Sequence, residues 1–131
     1  MPWGMIVTQN TAKLFRLNEM STEEPMPGFG RKRIIGENVM VSVMTVARGC
    51  EVPWHRHVNE QIVVLLEGHL QFDVELADGQ RQRFELRSGD ALLLPGNVAH
   101  GGLALEDCRA IDVFSPPSAT TGIDVQANRK P

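Results

Sequence analysis

Residues 69–76 alternate without a break: Leu70, Phe72, Val74 and Leu76 are apolar, while His69, Gln71, Asp73 and Glu75 are polar. A period of two predicts a strand with one face buried and the other wet. Asp78-Gly79 follows, a dipeptide suited to a tight hairpin, and residues 81–86 read as the returning strand. Residues 38–47 (NVMVSVMTVA) are β-branched and methionine-rich without helical charge spacing, and predict another strand. Residues 60–66 form a strand that is apolar on both faces and ends at Gly68. Shorter strands are predicted over 91–94, 98–103 and 107–114, separated by Ser88-Gly89-Asp90 and Pro95-Gly96-Asn97, with Pro116-Pro117 closing the series. Ahead of Arg31 the chain reads as irregular. Residues 12–17 suggest a short strand, 21–25 a polar turn, and Pro25, Pro27, Gly28 and Gly30 forbid a long helix. Short strands at short intervals with almost no helix predict an all-β protein, a single jelly-roll (double-stranded β-helix) barrel. Side chains should fill its core and leave a pocket at one mouth. The expected organisation is a 1–30 N-terminal segment with a possible edge strand, a 31–117 barrel and a polar 118–131 tail.

Composition narrows the function. The 131 residues suit one domain, and 13 Lys+Arg against 16 Asp+Glu give a net charge of −3, which argues against nucleic acid as the main partner. The longest apolar run, 62–66, is far short of the ~18 residues that span a bilayer. The N-terminus lacks the basic start, apolar stretch and cleavage site of a secretory signal. A soluble cytoplasmic protein with no membrane partner is expected. The two cysteines, Cys50 and Cys108, are too few for a disulfide framework and suit a reducing compartment. Small jelly rolls expose sheet edges and an apolar face, so a homodimer is expected, with 12–17 a candidate exchanged or added strand.

The chain has four histidines. His55 and His57 stand two apart, so on a strand both imidazoles point to one side, half of a metal site. His69 sits on the polar parity of its strand and is expected to have no site role, and Trp54 points away from the side of His55. Gly49, His55, His57, Gln61 and Gly68 follow one spacing, and Gly89, Pro95, Gly96, Asn97 and His100 another. Together they resemble the two signature motifs of the cupin superfamily, G-x5-H-x-H-x3,4-E-x6-G and G-x5-P-x-G-x2-H-x3-N. The resemblance implies a metal-binding cupin barrel in which a facing strand supplies His100 as the third ligand. Three positions depart from the pattern. Gln61 fills the glutamate slot, Asn97 a glycine slot where left-handed backbone is needed, and Ala104 the asparagine slot. Gln61 is the expected fourth ligand. Glu60 is the alternative, although its spacing is off by one and its parity opposite. Three imidazoles and an amide leave the full 2+ charge of an ion unneutralised, a good seat for an anionic ligand. One divalent ion is expected, and Zn, Ni, Fe or Mn all suit these ligands.

Asp112 lies between Ile111 and Val113 in a strand that should be central, an unusual place for an acid. If its face looks into the barrel, it is a candidate general acid or base, and the charge of a nearby ion should lower its pKa. ENVMVSVM, HRHVNEQIVVLLEG, LPGNVAH, LALEDC and IDVFSPP further resemble the small cupins of pectin and alginate degradation, over about Arg31 to Pro117. That group promotes conversion of unsaturated uronates to the linear 5-keto-4-deoxyuronate. The resemblance implies metal slots at His55, His57, Gln61 and His100 and active-site roles for Asp112 and Phe114. The arginine that ends the group's DVFSPPR string is Ser118 here. Three readings remain open: a metal-dependent isomerase acting on a small anionic sugar acid, a metal-dependent dioxygenase, and a non-catalytic ligand-binding barrel.

Overall fold

A computed structural model describes residues 11–118. Ten strands dominate them: β1 (Glu23–Met26), β2 (Phe29–Ile35), β3 (Met40–Val46), β4 (Glu51–His55), β5 (Glu60–Glu67), β6 (His69–Glu75), β7 (Arg81–Arg87), β8 (Ala91–Leu94), β9 (His100–Ala104) and β10 (Cys108–Ser115). They form two antiparallel sheets, ordered β1-β2-β3-β10-β5-β8 and β4-β9-β6-β7, the jelly-roll architecture. Among the described residues no helix is long and apolar enough to cross a membrane.

The alternating segment behaves as its pattern demands. Leu70, Phe72 and Val74 are buried while the residues between them are only partly covered. β6 and β7 pair in register from His69↔Arg87 to Glu75↔Arg81, around a turn where Gly79 takes φ 84°. Met44, Val63, Leu65 and Leu94 meet them from the larger sheet. The core is packed rather than hollow, and the cavity at its histidine end measures only about 30 Å³.

The N-terminal part differs from the sequence expectation. Residues 12–17 form no strand. They are exposed and lead into a single 3-10 turn, Leu17–Glu19. The edge strand is β1, so the barrel starts at Glu23 and not at Arg31. Pro25 is tolerated there because an edge strand has one side without ladder bonds. Pro27 and Gly28 make the turn into β2, with Gly28 at φ 83°. Read as breakers, these residues concealed a hairpin. The 118–131 tail, apart from Ser118, lies outside the described residues, as do residues 1–10.

Candidate metal centre

His55 ends β4 and His100 opens β9, and the two are direct cross-strand partners in the smaller sheet. His100 thus comes from the neighbouring strand of the same sheet, not from a facing one. His57 lies beyond the end of β4, in the connection to β5. Its place is set by a loop-to-loop contact: the Asn97 amide donates to the His57 carbonyl at 2.7 Å. Asn97 takes φ 65° to do so, the left-handed conformation its slot calls for. A Cβ on Gly96 would stand 2.5 Å from the Val58 carbonyl oxygen, so only glycine lets the two loops approach this closely. Gln61 reaches the same space from β5 in the larger sheet and is 5% exposed, whereas Glu60 points to solvent. The structure therefore brings Gln61, not Glu60, to the site.

The metal-ligating nitrogens of His55, His57 and His100 lie within 4.8 Å of one another. Each ring is held by a hydrogen bond from its Nδ1 to a backbone carbonyl: His55 to Pro53 at 2.6 Å, His57 to Asn59 at 3.0 Å and His100 to Val98 at 2.9 Å. A carbonyl only accepts, so Nδ1 carries the proton and each Nε2 keeps its lone pair for the common centre. Burial lowers the pKa of His55 and carries that of His100 down to about 4, holding both rings neutral as a ligand must be. The Nε2 of His100 is buried with no hydrogen-bond partner, a group that an ion would satisfy. His57 Nε2 and Gln61 Oε1 stand 3.1 Å apart. Two atoms about 2.1 Å from one ion and at right angles to each other would be separated by about 3 Å. These residues fit a single divalent ion.

Asp112 is 6% exposed and sits beside this centre on β10, with Phe114 two residues on. Both line the cavity with the histidines and Gln61, and the Phe114 ring stands edge-on to His57 with centroids 5.8 Å apart. Asp112 Oδ1 is buried with no hydrogen-bond partner among the described residues. The sequence reading expected a lowered pKa. Among the protein's own groups burial wins and pushes the carboxyl up to about 7, against a smaller pull from its hydrogen bond with the Gln61 side chain. The charge of a bound ion acts in the opposite sense.

Arg31 and Arg33 were not anticipated. They share the inward parity of β2 with Phe29 and line a space that adjoins Asp112 and Phe114. Residues 29–33 (FGRKR) carry no apolar alternation, so only the register of β2 against β3 reveals which way these side chains face. Four other residues stay outside the site. His69 is held by Glu85 at 2.6 Å on the outer face of β6, Trp54 stacks under the Arg81 guanidinium at 3.8 Å, and Cys50 and Cys108 are buried free thiols.

A two-sheet jelly roll with three histidines and an amide gathered at one end is the architecture of a cupin. The sequence comparison agrees: the cupin domain model matches residues 42–114, and the chain belongs to this family. Among solved structures, KdgF from Halomonas sp. is 30% identical with a TM-score of 0.73, over 83% of this chain and 97% of that one. An RmlC-like cupin from Shewanella frigidimarina is 24% identical with a TM-score of 0.73, over 85% and 96% of the two chains. Lactobacillus farciminis oxalate decarboxylase shares the fold at 15% identity and a TM-score of 0.73, over 86% of this chain and 36% of its own. No curated protein matches the sequence.

Proposed function

We propose that this cupin holds one divalent ion on His55, His57, Gln61 and His100 and isomerises a small anionic sugar acid, an unsaturated uronate, to its linear 5-keto-4-deoxy form. The observation that carries the reading is the buried Asp112 carboxyl, with one oxygen unpartnered, beside a histidine cluster built to bind an ion. The likeness to the uronate-converting cupins and to the Halomonas protein supports it. When bound, the ion supplies a Lewis acid that neutralises developing negative charge on a substrate oxygen.

The reaction is a net isomerisation. Opening the ring at C1–O5 leaves an aldehyde at C1 and an enol at C5. Moving a proton from the enol oxygen to C4 gives the C5 ketone. In this reading Asp112 carries that proton, and its seclusion from bulk water keeps the exchange local. Phe114 forms the wall beside it and shapes the seat of the ring. Gln61 both faces the ion site and hydrogen-bonds Asp112, which ties the position of the carboxyl to that of the ligand set.

Two measurements test the reading. Elemental analysis of tag-free protein should find one divalent ion per chain, lost in the double substitution His57→Ala/His100→Ala; full occupancy in that variant would overturn the site. Loss of the ultraviolet absorbance of a 4,5-unsaturated uronate on adding the protein should report turnover; tight binding without turnover would leave the ligand-binding reading in its place.

We also propose that the functional unit is a homodimer formed through the outer face of the larger sheet. Val41, Val113, Ile62 and Leu93 form one continuous apolar row across four strands there. Ile62 is 39% and Leu93 56% exposed in the isolated chain. The two free, buried thiols suit a reducing cytoplasm.

A further inference from the structure

Asn59 is 3% exposed although it lies in the 56–59 connection between β4 and β5, beside Val58, which is 70% exposed. Burying an amide is costly unless its hydrogen bonds are made. Asparagine often stands in a loop because it tolerates left-handed backbone, but that is not the reason here. Among the described residues other than glycine, only Asn97 has a positive φ. The Asn59 side chain instead donates from Nδ2 to the carbonyl of Pro116, 57 residues further along the chain and just past the end of β10.

The backbone carbonyl of the same residue accepts from His57 Nδ1 at 3.0 Å. His57 is the member of the histidine cluster that no strand carries. His55 and His100 are fixed by their pairing across β4 and β9. His57 has instead the Asn97 amide on its own carbonyl and the Asn59 carbonyl on its ring. An imidazole that binds through Nε2 is free to turn unless its Nδ1–H is held, and the held bond sets where the Nε2 lone pair points. The Asn59 carbonyl performs that task, and the tie to Pro116 steadies the peptide that bears it. β10 is a firm anchor, because it is paired on both sides, with β3 and β5, and its Phe114 stands against the His57 ring.

We infer that Asn59 is a positioning residue of the metal centre: anchored on Pro116, it aims the His57 imidazole through its own backbone carbonyl. The inference deepens the proposed function and rests on reading the histidine cluster as an ion site. It gives the end of β10 a second duty. Besides presenting Asp112 and Phe114 to the cavity, that strand holds the loop from which His57 projects.

The test is the zinc affinity of the metal-stripped full chain, measured by competition with a chromophoric chelator, beside a thermal melt of the same metal-free protein. Asn59→Ala removes the donor. Asn59→Asp keeps the shape but sets an acceptor against the Pro116 carbonyl, so it guards against a folding failure of the alanine variant. Both should bind zinc about 10–100-fold more weakly, the range expected when the partner that orients a ligand is disturbed. Ser115→Ala is the control. It cuts another hydrogen bond of the same segment, from Ser115 Oγ to the Asn38 carbonyl at 2.8 Å, and should leave the affinity unchanged. In a His57→Ala background, Asn59→Ala should weaken zinc no further, because it acts through that ring. An unchanged affinity in both Asn59 variants, an equal loss in Ser115→Ala, an undiminished loss in the His57→Ala background, or failure of both variants to fold overturns the inference and leaves the ion site standing. Wild type that takes up no zinc overturns the ion site, and the inference with it.

Discussion

Asp112 shows how much a single buried carboxyl is asked to do. Burial raises its pKa, against a smaller pull from its hydrogen bond with the Gln61 side chain. Asp112→Asn keeps the shape and a hydrogen-bonding oxygen for Gln61 but has no proton to exchange. Turnover on a confirmed uronate should fall by about 10²-fold or more, with metal content unchanged. Phe114→Ala removes a wall without touching the proton path, so KM should rise more than kcat falls. Steady-state kinetics on the two variants separates the roles, and an unchanged kcat in Asp112→Asn would exclude it as the proton carrier. The three histidines were legible as residues because their spacing is a motif. Arg31 and Arg33 were not, because their meaning lies in which strand they join.

The element that sets the metal centre is a pair of loops. The 57–59 segment must lie against the Pro95–Asn97 turn, and Gly96 is where they touch. Asn59, buried under this contact, donates from its amide to the Pro116 carbonyl and ties the loop to the end of β10. Gly96→Ala places a methyl group against the Val58 carbonyl oxygen, so the loop carrying His57 must move. The expected cost is about 1–3 kcal/mol in stability, with weaker metal binding, read by thermal melts and metal titration. Exposed pairs on the strands contrast with this. Breaking Asp73–Arg83 on the wet face of β6 and β7 by Arg83→Ala should leave a denaturant melt almost unchanged.

For the whole molecule, stability and assembly follow from the same distribution of apolar surface. The folded pKa of Asp112 lies above its unfolded value of 3.8, at about 7. In metal-stripped protein its contribution is therefore full below pH 3.8 and lost as pH rises through 7. His100 works in the other direction: its folded value of about 4 lies below 6.5, so its contribution is present above pH 6.5 and lost as pH falls through 4. Chelator-treated Asp112→Asn should thus be more stable than wild type at pH 8 by a few kcal/mol, a gap that closes toward pH 4. Denaturant melts across that range check the sign. The apolar row on the larger sheet predicts a dimer. Light scattering at micromolar concentration should give about twice 14.5 kDa, and a mass near 14.5 kDa would overturn the assembly.

What the sequence determined by itself was whatever repeats at short range. Alternation over 69–76, the Asp78-Gly79 turn and the twin histidine motifs depend on neighbours within a few positions, so strand identity, the all-β class and the histidine cluster were readable from them. The fold decided what depends on pairing between distant strands. Only register puts His100 beside His55 within one sheet and brings Gln61 across from the other. The β1–β2 hairpin, hidden among prolines and glycines, exists because β3 provides a ladder for β2. The same ladder sets Arg33, Ser42 and Asp112 in one row. Local pattern fixes which way a side chain alternates; the partner strand alone fixes what it faces.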